Sequence, residues 1–454
     1  MSQETIDMFE FITTSYKAYG DQVNKNRMIT LSIDGLKPVE RRVLVSAFTI
    51  AKNKKVKSVQ VDGHCLGHYH PHAMCYGTIV QMVKQGFLDG QGQFGANIGT
   101  EPTGPAASRY TECGMSEFTK ALAFELIDYV PWVESEVSAD IKEPLYLPTK
   151  YPFCLIGKTP TGGIGFGYAA NIPCYEIKDL NKRLMWLLKE RKREPVIAPI
   201  TDCEIVQTSD SNRLKTLLTE GKETLIYKGR YHIDRVKKQI ICKSLPPRTS
   251  FNAIYSKLQK KYKDLAILDS SCDELGTYVI FYLDRVRNQQ QLFEELISDF
   301  DSMIVKNVSF ENNQIEYHDS DDLNNMHLTC MSIDKMLLDA FNNYQKLYDK
   351  MLSKQIAIRN NKIVFLDILS KIKKVLPKYL NDIKKTPDVV IKDIATEIKI
   401  EEDIVKKTFN DYTIIKLLKV ETDTLKLKEE IALIKKTKKN LFKHIIEEYS
   451  KLCQ

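Results

Sequence analysis

The sequence predicts an α+β protein of several domains, because three stretches of the chain carry three different residue patterns. Its 454 residues allow about three domains of roughly 150 residues each. Residues 1–150 hold dense glycine, proline and histidine motifs, and residues 151–330 mix strand patterns with helix patterns. Residues 331–454 lack glycine and are rich in lysine, glutamate, isoleucine and leucine. We therefore expect domain boundaries near residues 150 and 330.

The first stretch predicts two short helices and a motif-rich loop. Pro38 suits the first position of a helix that runs to about residue 52, because its φ is fixed and it has no N–H to satisfy. The apolar side of this helix leaves Arg41 and Arg42 largely on other faces. That apolar side consists of Val39, Val43, Leu44, Ala47 and Phe48. A second helix is expected after Pro71, with Gly86 as its stop. Two short helices ahead of such a loop are typical of a helix-turn-helix or winged-helix unit.

The second stretch predicts an α/β unit, because short β-branched and aromatic runs alternate with a helical pattern. The helix is expected at residues 250–260, directly after a pair of prolines that end the preceding strand. The strands are expected at residues 224–227, 239–243, 278–282 and 303–305.

The third stretch predicts long helices. Apolar residues recur at helical spacing from Met336 onward, and a final helix is expected through Leu441. A composition dominated by lysine, glutamate, isoleucine and leucine is typical of a coiled-coil-like domain that contacts a second copy of the chain.

Bulk composition limits the class of protein without deciding its function. The net charge of +7 comes from 66 basic and 59 acidic residues, an excess that permits nucleic-acid binding without requiring it. The ten cysteines show no Cys-x-x-Cys spacing, which favours reduced thiols. The polar first residues predict no signal peptide, and no apolar run reaches the roughly 20 residues of a membrane helix. We expect a soluble protein of the cytoplasm.

Two glycine-containing segments imitate nucleotide-binding motifs. Gly90-Gln-Gly-Gln-Phe-Gly95 matches the dinucleotide fingerprint, but a helix precedes it and prolines follow it, whereas the fingerprint requires a strand before and a helix after. Gly157-Lys158-Thr159 resembles the end of a phosphate-binding loop, but Pro152 stands where the first glycine belongs. We therefore predict no nucleotide site in this chain.

Histidines and cysteines cluster in the first stretch, at His64, Cys65, His68, His70, His72 and Cys75. Three interpretations stay open for this cluster. Imidazole and thiolate at close spacing suit a zinc site, although no second cysteine pair completes the ligand shell. The side chains are alternatively ordinary packed or exposed residues. In the third interpretation, His70 and His72 flank the first turn of the helix after Pro71, where free N–H groups and the helix dipole favour a phosphate.

The remaining motifs follow one another in a recognisable order. The first is Asp34-Gly-Leu-Lys-Pro-Val-Glu-Arg-Arg42, and the second is Tyr69-His-Pro-His72. Next come Leu88-Asp-Gly-Gln-Gly-Gln-Phe-Gly95, Ala106-Ala-Ser-Arg-Tyr-Thr-Glu112 and Gly162-Gly-Ile-Gly-Phe-Gly-Tyr-Ala-Ala-Asn-Ile-Pro173. In this order the chain resembles the breakage-reunion subunit of type IIA DNA topoisomerases, the family of the DNA gyrase A subunit. Its layout most resembles the medium subunit of phage type II topoisomerases, which implies a viral or phage protein.

This resemblance implies a nucleophile and a set of DNA contacts. In that family the tyrosine of the Arg-Tyr-Thr motif attacks a DNA phosphate, so Tyr110 would be the nucleophile and Arg109 its transition-state partner. A phosphotyrosyl ester conserves the energy of the broken bond, so resealing needs no external fuel. Ile164 matches the isoleucine that wedges between base pairs. By position, the residues that contact DNA would be Arg27, Lys37, Arg41, Arg42, His70, His72 and Ile164.

The resemblance also implies domains, cofactors and partners. Residues 1–150 would form a winged-helix DNA-cleavage domain, residues 151–330 an α/β tower domain, and residues 331–454 a coiled-coil exit gate that holds a homodimer together. The acidic Toprim residues and the ATPase domain of the family have no counterpart in this sequence, so Mg2+ and ATP are expected on a separate partner subunit. The implied activity is transient double-strand cleavage for relaxation and decatenation, in the nucleoid or a host-cell cytoplasm.

Two other functions fit parts of the sequence. The same basic surface would serve a non-catalytic winged-helix protein that binds or shapes double-stranded DNA. The histidine and cysteine cluster would serve a zinc hydrolase. Replacing Tyr110 by phenylalanine separates the first alternative from a topoisomerase, because only a topoisomerase needs the phenolic oxygen.

Overall fold

A computed structural model describes residues 7–96, 98–101, 103–206, 212–247, 249–272, 275–283, 289–318, 326–379, 386–410 and 414–453. The chain divides into two compact units. One comprises Met1–Tyr344 with Tyr449–Gln454, and the other comprises Gln345–Glu448.

The first unit begins with helices arranged around a small antiparallel sheet. Helices α2, α3 and α4 pack against one another, and α2 also packs on β4. The strands pair in the order β2–β4–β3. A π-helical turn at Asn24–Met28 separates α1 from β1. These elements are α1 (Met8–Val23), β1 (Thr30–Leu31), α2 (Pro38–Ile50), β2 (Val56–Lys57), α3 (Ser58–His68), α4 (Tyr76–Lys84), β3 (Leu88–Gln91), β4 (Glu112–Met115) and α5 (Glu117–Ala123).

The helices of this region differ in part from the prediction. The helix that begins at Pro38 is confirmed, and the Glu40 carboxylate accepts a hydrogen bond from the Lys37 backbone N–H (2.9 Å) at its first turn. The helix expected after Pro71 begins only at Tyr76, so that start was wrong. The Asp62 side chain accepts a hydrogen bond from the Cys75 backbone N–H (2.6 Å) and holds the intervening segment as a turn. The predicted stop is confirmed, because Gly86 adopts φ +83 directly after α4.

The rest of the first unit contains three further sheets and a two-stranded pair. The five-stranded sheet has the order β7–β8–β15–β10–β9, and the four-stranded sheet has the order β11–β12–β14–β13. The elements are β5 (Trp132–Glu134), β6 (Lys142–Pro144), α6 (Phe153–Ile156), β7 (Thr161–Ile164), β8 (Ala169–Ile172), α7 (Ile177–Leu187), β9 (Glu204–Ile205), α8 (Arg213–Glu220), β10 (Lys222–Lys228), β11 (Tyr231–Asp234), β12 (Gln239–Cys242), α9 (Phe251–Lys261), β13 (Leu265–Asp269), β14 (Val279–Leu283), α10 (Gln289–Met303), β15 (Val305–Glu311), β16 (Asn313–Glu316) and β17 (His327–Cys330).

Most predicted elements of this region are confirmed. The runs at residues 224–227, 239–243 and 278–282 fall on β10, β12 and β14, and the helix after the proline pair is α9. The strand expected at residues 303–305 was wrong, because Met303 ends α10 and β15 begins only at Val305. Helices α9 and α10 contribute to one apolar core with the four-stranded sheet, centred on Phe251, Phe281, Phe293 and Phe300.

A short parallel pairing ties the first part of the chain to residues almost three hundred positions later. Strand β1 pairs with β16, which in turn pairs with β17. The Thr30 hydroxyl donates to the Gln314 side-chain oxygen (2.7 Å), and both residues are buried. The segment ahead of α2 is therefore fixed to the middle of the chain by backbone and side-chain hydrogen bonds.

Five helices and the short segments between them form residues 333–452 within the described part of the chain. The division between the two units falls inside α11. The final helix expected through Leu441 ends at Lys439, and a separate helix begins at Leu441. No helix among the described residues is long and apolar enough to cross a membrane. The helices are α11 (Ile333–Tyr379), α12 (Pro387–Ile398), α13 (Glu402–Asn410), α14 (Ile414–Lys439) and α15 (Leu441–Leu452).

Candidate active site

Tyr110 lies on the loop that leads into β4, and its side chain points away from the core with 65% of its surface exposed. The loop below it is firmly held. The Tyr76 hydroxyl donates to the Ala106 carbonyl (2.6 Å) and lies 3.0 Å from the Thr111 hydroxyl. The buried Thr111 hydroxyl donates in turn to the Ser58 hydroxyl (2.8 Å). An exposed phenol on an anchored backbone is the arrangement that a nucleophile needs.

The N-terminus of α3 provides a second anchor for this loop. The backbone N–H groups of Ser58 and Val59 donate to the carbonyls of Thr111 (2.9 Å) and Ser108 (3.3 Å). The first N–H groups of a helix have no partner within the helix, so the loop satisfies donors that would otherwise need water. The loop position is therefore set by helix geometry as well as by side chains.

The glycines that imitate a dinucleotide fingerprint have a structural purpose. Gly95 adopts φ +80, and a Cβ atom there would lie 2.3 Å from the Thr103 carbonyl oxygen. Only glycine fits such a backbone conformation at such a distance. The segment turns the chain back from β3 toward the Tyr110 loop.

Arg109 lies beside the candidate nucleophile. Its guanidinium carbon is 4.7 Å from the centre of the Tyr110 ring, within cation–π distance. A guanidinium in such a position could stabilise the charge that develops on a phosphate under attack. Both side chains are exposed, so a DNA strand could reach them.

A second group of predicted residues meets in one place, which we call the cationic cluster and define as Arg27, Arg42, His70 and His72. An Nη atom of Arg27 is 3.2 Å from His72 Nδ1, and an Nη atom of Arg42 is 3.2 Å from His70 Nδ1. The two imidazole rings meet edge to face, with 5.2 Å between their centroids. The structure therefore brings together four of the residues that the sequence assigned to DNA.

Two carboxylates that the sequence analysis missed accompany the cationic cluster. Glu143 binds Arg42 in bidentate fashion, with both N···O distances at 2.8 Å. Glu136 contacts Arg42 (3.2 Å) and His72 (2.8 Å) through its two oxygens. No spacing in the sequence signals these partners, since they lie far along the chain from the basic residues that they bind.

Burial and neighbouring cations set the charge states in the cationic cluster. Burial lowers the pKa of His70 to about 4, and the charge of Arg42 contributes to this lowering. Because a guanidinium can only donate, His70 Nδ1 accepts from Arg42, so the proton of the neutral ring is on Nε2. Burial acts to raise the pKa of Glu136, but hydrogen bonds and charge from Arg42 and His72 outweigh it and hold that pKa below its usual value.

Arg41 and Lys37 take different positions from the cationic cluster. Arg41 is buried and forms a bidentate ion pair with the fully buried Asp34 (2.7 and 3.1 Å). Asp34 also accepts from the backbone N–H groups of Leu36 (3.1 Å) and Leu147 (3.0 Å). The Lys37 ammonium donates to the Gly162 carbonyl (2.7 Å) on β7. Arg41 thus holds the backbone that presents Lys37.

Ile164 stands at the end of β7 with 83% of its surface exposed. The tip of the β7–β8 hairpin is held by one side chain from the π-helical turn, because Asn24 Nδ2 donates to the Phe166 carbonyl (2.9 Å) and Asn24 Oδ1 accepts from the Phe166 N–H (2.8 Å). A Cβ at Gly165 would lie 2.1 Å from Asn24 Oδ1, so a side chain there would push the Asn24 amide out of its place. Asn24 is a further site residue that sequence spacing does not reveal.

The histidine and cysteine cluster does not form a metal site. The rings of His64 and His68 stack on each other at 4.1 Å, and the sulfurs of Cys65 and Cys75 contact each other at 3.4 Å. No three His, Cys, Asp or Glu side chains among the described residues converge in a way that could hold a metal ion. The structure thus gives the zinc alternative no support.

Comparison with known proteins identifies the family of this chain. The family model for the A subunit of DNA gyrase/topoisomerase IV matches residues 27–450, which is nearly the whole chain. The chain belongs to this family. The matched range begins at Arg27, so every residue of the cationic cluster and Tyr110 lie within it. The resemblance predicted from the motifs is thereby confirmed at the level of the family.

Individual relatives of this family member are distant. The DNA gyrase A subunit of Thermotoga maritima is 27% identical over 310 residues, covering 63% of this chain and 38% of that protein. The DNA gyrase A subunit of Neisseria gonorrhoeae is 29% identical over 311 residues, covering 62% of this chain and 33% of that protein. The DNA topoisomerase 4 A subunit of the same organism is 28% identical over 282 residues, covering 57% of this chain and 35% of that protein. The chain thus spans little more than a third of the length of the curated relatives it matches.

Proposed function

We propose that this chain is the DNA cleavage and religation subunit of an ATP-dependent type IIA topoisomerase. The observation that carries the proposal is the pairing of an exposed Tyr110 with Arg109 on an anchored loop, in a member of the gyrase and topoisomerase IV A-subunit family. Two copies would each attack one strand of a duplex, and a second duplex would pass through the break.

The proposed chemistry is a reversible transesterification. The phenolic oxygen of Tyr110 attacks a DNA phosphorus, a P–O bond to tyrosine forms, and the bond from phosphorus to the deoxyribose O3′ breaks. The phenol gives up its proton and the departing O3′ takes one up, which leaves a 5′-phosphotyrosyl link and a free 3′-hydroxyl. Reversal reseals the strand without external energy, because the ester conserves the broken bond. Arg109 stabilises the charge that develops on the phosphate oxygens.

The DNA contacts of the proposal divide into three kinds. The cationic cluster binds backbone phosphate, and His70 offers a neutral N–H donor there. Lys37 adds a positive charge beside the β7–β8 hairpin, and Ile164 inserts between base pairs from its exposed position. Arg41 contributes indirectly, since its ion pair with Asp34 supports the turn ahead of α2.

The proposed architecture follows the family. We assign residues 1–150 to a winged-helix domain, supported by helices α2 to α4 packed with the β2–β4–β3 sheet. We assign residues 151–330 to a tower domain and residues 331–454 to a coiled-coil exit gate of a homodimer. A medium-subunit layout of the phage type, and a site of action in the nucleoid or host-cell cytoplasm, belong to the same proposal.

Mg2+ and ATP are assigned to a separate partner subunit. The described residues of this chain contain no convergent set of three metal-ligating side chains, so they do not fit a magnesium site by themselves. A magnesium ion would stabilise the charge that develops on the reacting oxygens during DNA cleavage. The partner would supply that ion and the ATP-driven clamp, and the pair would relax and decatenate DNA.

Trapping of a covalent intermediate tests this function. We expect that detergent added during turnover, with partner, Mg2+ and ATP present, leaves protein covalently attached to DNA. Mass spectrometry should then find a nucleotide adduct on Tyr110. Tyr110→Phe should abolish the adduct while DNA affinity stays within about threefold, because phenylalanine keeps the ring and loses only the reacting oxygen.

Tyr16→Phe is the matched control, since Tyr16 is exposed to a similar degree, 61% against 65%. It should leave the adduct unchanged. Absence of any adduct from the unaltered protein under these conditions would argue for a non-catalytic DNA-binding or architectural protein instead.

A further inference from the structure

Glu136 occupies an unusual place for an acidic side chain, because it lies between two of the residues that we assign to a DNA phosphate. One of its oxygens is 3.2 Å from an Nη atom of Arg42, and the other is 2.8 Å from His72 Nε2. The segment that carries it, between β5 and β6, is held beside α3 by the Ser135 hydroxyl, which donates to the His68 carbonyl (2.5 Å).

Glu136 and Glu143 both bind Arg42 but differ in kind. Glu143 makes two hydrogen bonds of 2.8 Å to Arg42, and its side chain is only 12% exposed. Glu136 makes one longer contact to the same guanidinium, and its side chain is 35% exposed. Glu143 therefore fixes the guanidinium in place, whereas the Glu136 side chain can rotate into solvent without disturbing buried residues.

The two donors that converge on Glu136 are those that a phosphate diester would use. A phosphate offers two anionic oxygens to a guanidinium and to an imidazole N–H, and a carboxylate offers the same two acceptors in similar geometry. Glu143 accepts from two of the five N–H groups of Arg42 and His70 accepts from a third, while Glu136 contacts the same Nη2 atom as Glu143. A phosphate that bridges this Nη2 atom and His72 Nε2 would therefore take the place of the Glu136 carboxylate.

We propose that Glu136 is an internal stand-in for DNA phosphate, that duplex binding displaces its carboxylate from Arg42 and His72, and that this displacement limits the affinity of the site for DNA. The proposal rests on the proposed function. In free protein the carboxylate neutralises the cationic cluster and keeps its side chains ordered. Because two anions cannot share these donors, each bound phosphate carries the cost of removing the carboxylate.

Binding of a duplex to charge variants tests this inference. A fluorescently labelled duplex is titrated with protein in the absence of Mg2+ and of the partner, so that no cleavage occurs. Glu136→Gln keeps the size and hydrogen-bonding oxygen of the side chain but removes its charge. At low salt this variant should bind the duplex at least about fivefold more tightly than the unaltered protein. The reason is that a negative charge has been removed from the position where the phosphate binds.

Glu134→Gln is the matched control. Glu134 lies two residues away, is 65% exposed and pairs with Lys142 rather than with the cationic cluster. Glu134 carries the same charge as Glu136, so a general effect of net charge would change the DNA affinity of both variants equally. We expect Glu134→Gln to change affinity by less than about twofold, in keeping with screening of exposed charges.

The outcomes separate this inference from the proposed function. A duplex that does not bind even the unaltered protein would contradict the proposed function itself. Binding of the duplex by the unaltered protein, with equal or weaker binding by Glu136→Gln, would overturn the inference alone, because the carboxylate would then only support His72 and Arg42. Glu136→Ala is a second charge-free variant, and circular dichroism shows that each variant is folded.

Discussion

Arg41 and Arg42 are neighbours in the chain, yet their guanidinium groups serve different purposes. Both side chains are buried, but Arg41 meets the fully buried Asp34, while Arg42 contacts His70 and two carboxylates, of which Glu136 is 35% exposed. Helical geometry explains the difference, because successive residues of α2 are rotated by about 100°. One arginine stabilises the fold, and the other is available to a ligand through exchange of Glu136.

Removal of Arg41 should destabilise the protein. Arg41→Ala leaves the Asp34 carboxylate buried without its cation, so we expect the free energy of unfolding to fall by about 3–5 kcal/mol. Arg27→Ala is the comparison, because Arg27 is exposed and its loss should cost less than about 0.5 kcal/mol while weakening duplex binding. Urea unfolding and the duplex titration measure the two effects. Equal stability of the two variants would refute the structural assignment of Arg41.

At the residue scale, motifs in the sequence mark candidate residues, and the roles of these residues stay predictions. Tyr110 and Arg109 stand in a recognisable order, and four of the assigned basic residues do meet in the cationic cluster. Glu136, Glu143 and Asn24 were missed, because their partners are brought to them by tertiary folding and no local pattern marks them. The burial of Arg41 was missed because the apolar spacing of the helix placed it on another face, whereas the structure buries it against Asp34.

At the scale of elements, the β7–β8 hairpin exposes the Ile164 side chain (83%) more fully than those of Phe166 (36%) and Tyr168 (43%). Ile164 pairs with Ala169 next to the turn of the hairpin, where its side chain contributes little to the core. Because Ile164 is exposed, its removal should not lower the free energy of unfolding. The same exposure would let its side chain insert between stacked base pairs.

Ile164→Ala should therefore change DNA bending without changing stability. We expect the free energy of unfolding to shift by less than about 0.5 kcal/mol, and the bend of a bound duplex to decrease, because no wedge holds the base step open. Energy transfer between dyes at the two duplex ends reports the bend. Val236→Ala, at an even more exposed site (94%), should leave the bend unchanged. A bend that is the same in all three proteins would show that Ile164 is not a wedge.

Element prediction succeeded where periodicity was strong. Helices α2 and α9 and strands β10, β12 and β14 have clear apolar spacing, and the structure confirms them. Helix α3 was missed because Gly63 and Gly67 lie in its interior, and each costs about 1 kcal/mol of helix propensity. Contacts from Val61 and Cys65 to the core hold that helix together, and such tertiary contacts are invisible to local propensity.

At the scale of the whole molecule, no convergent set of metal ligands accompanies Tyr110 and Arg109 among the residues that the structure describes. The chain spans little more than a third of the length of its curated relatives. The parallel pairing of β1 with β16 also belongs to this scale, since no sequence pattern predicts contact between residues 30 and 314.

The chain alone, supplied with Mg2+ and duplex DNA, should form no detectable covalent adduct. Addition of a type IIA partner subunit that carries the Toprim and ATPase domains should restore the adduct, and chelation of Mg2+ should remove it again, because the ion stabilises the attacking and leaving oxygens. The detergent trap measures all three conditions. An adduct formed by the isolated chain would place the metal site on this chain and contradict the assignment to a partner.

The hold of Asn24 on the hairpin tip restricts which substitutions the chain can accept over evolutionary time. One planar amide supplies both a donor and an acceptor to Phe166, as a neighbouring peptide group would, and few side chains can do both from one carbon. The same π-helical turn carries Arg27 into the cationic cluster. Among relatives, we expect the exposed surface of α1 to drift freely while positions 24, 27 and 165 change together or remain fixed.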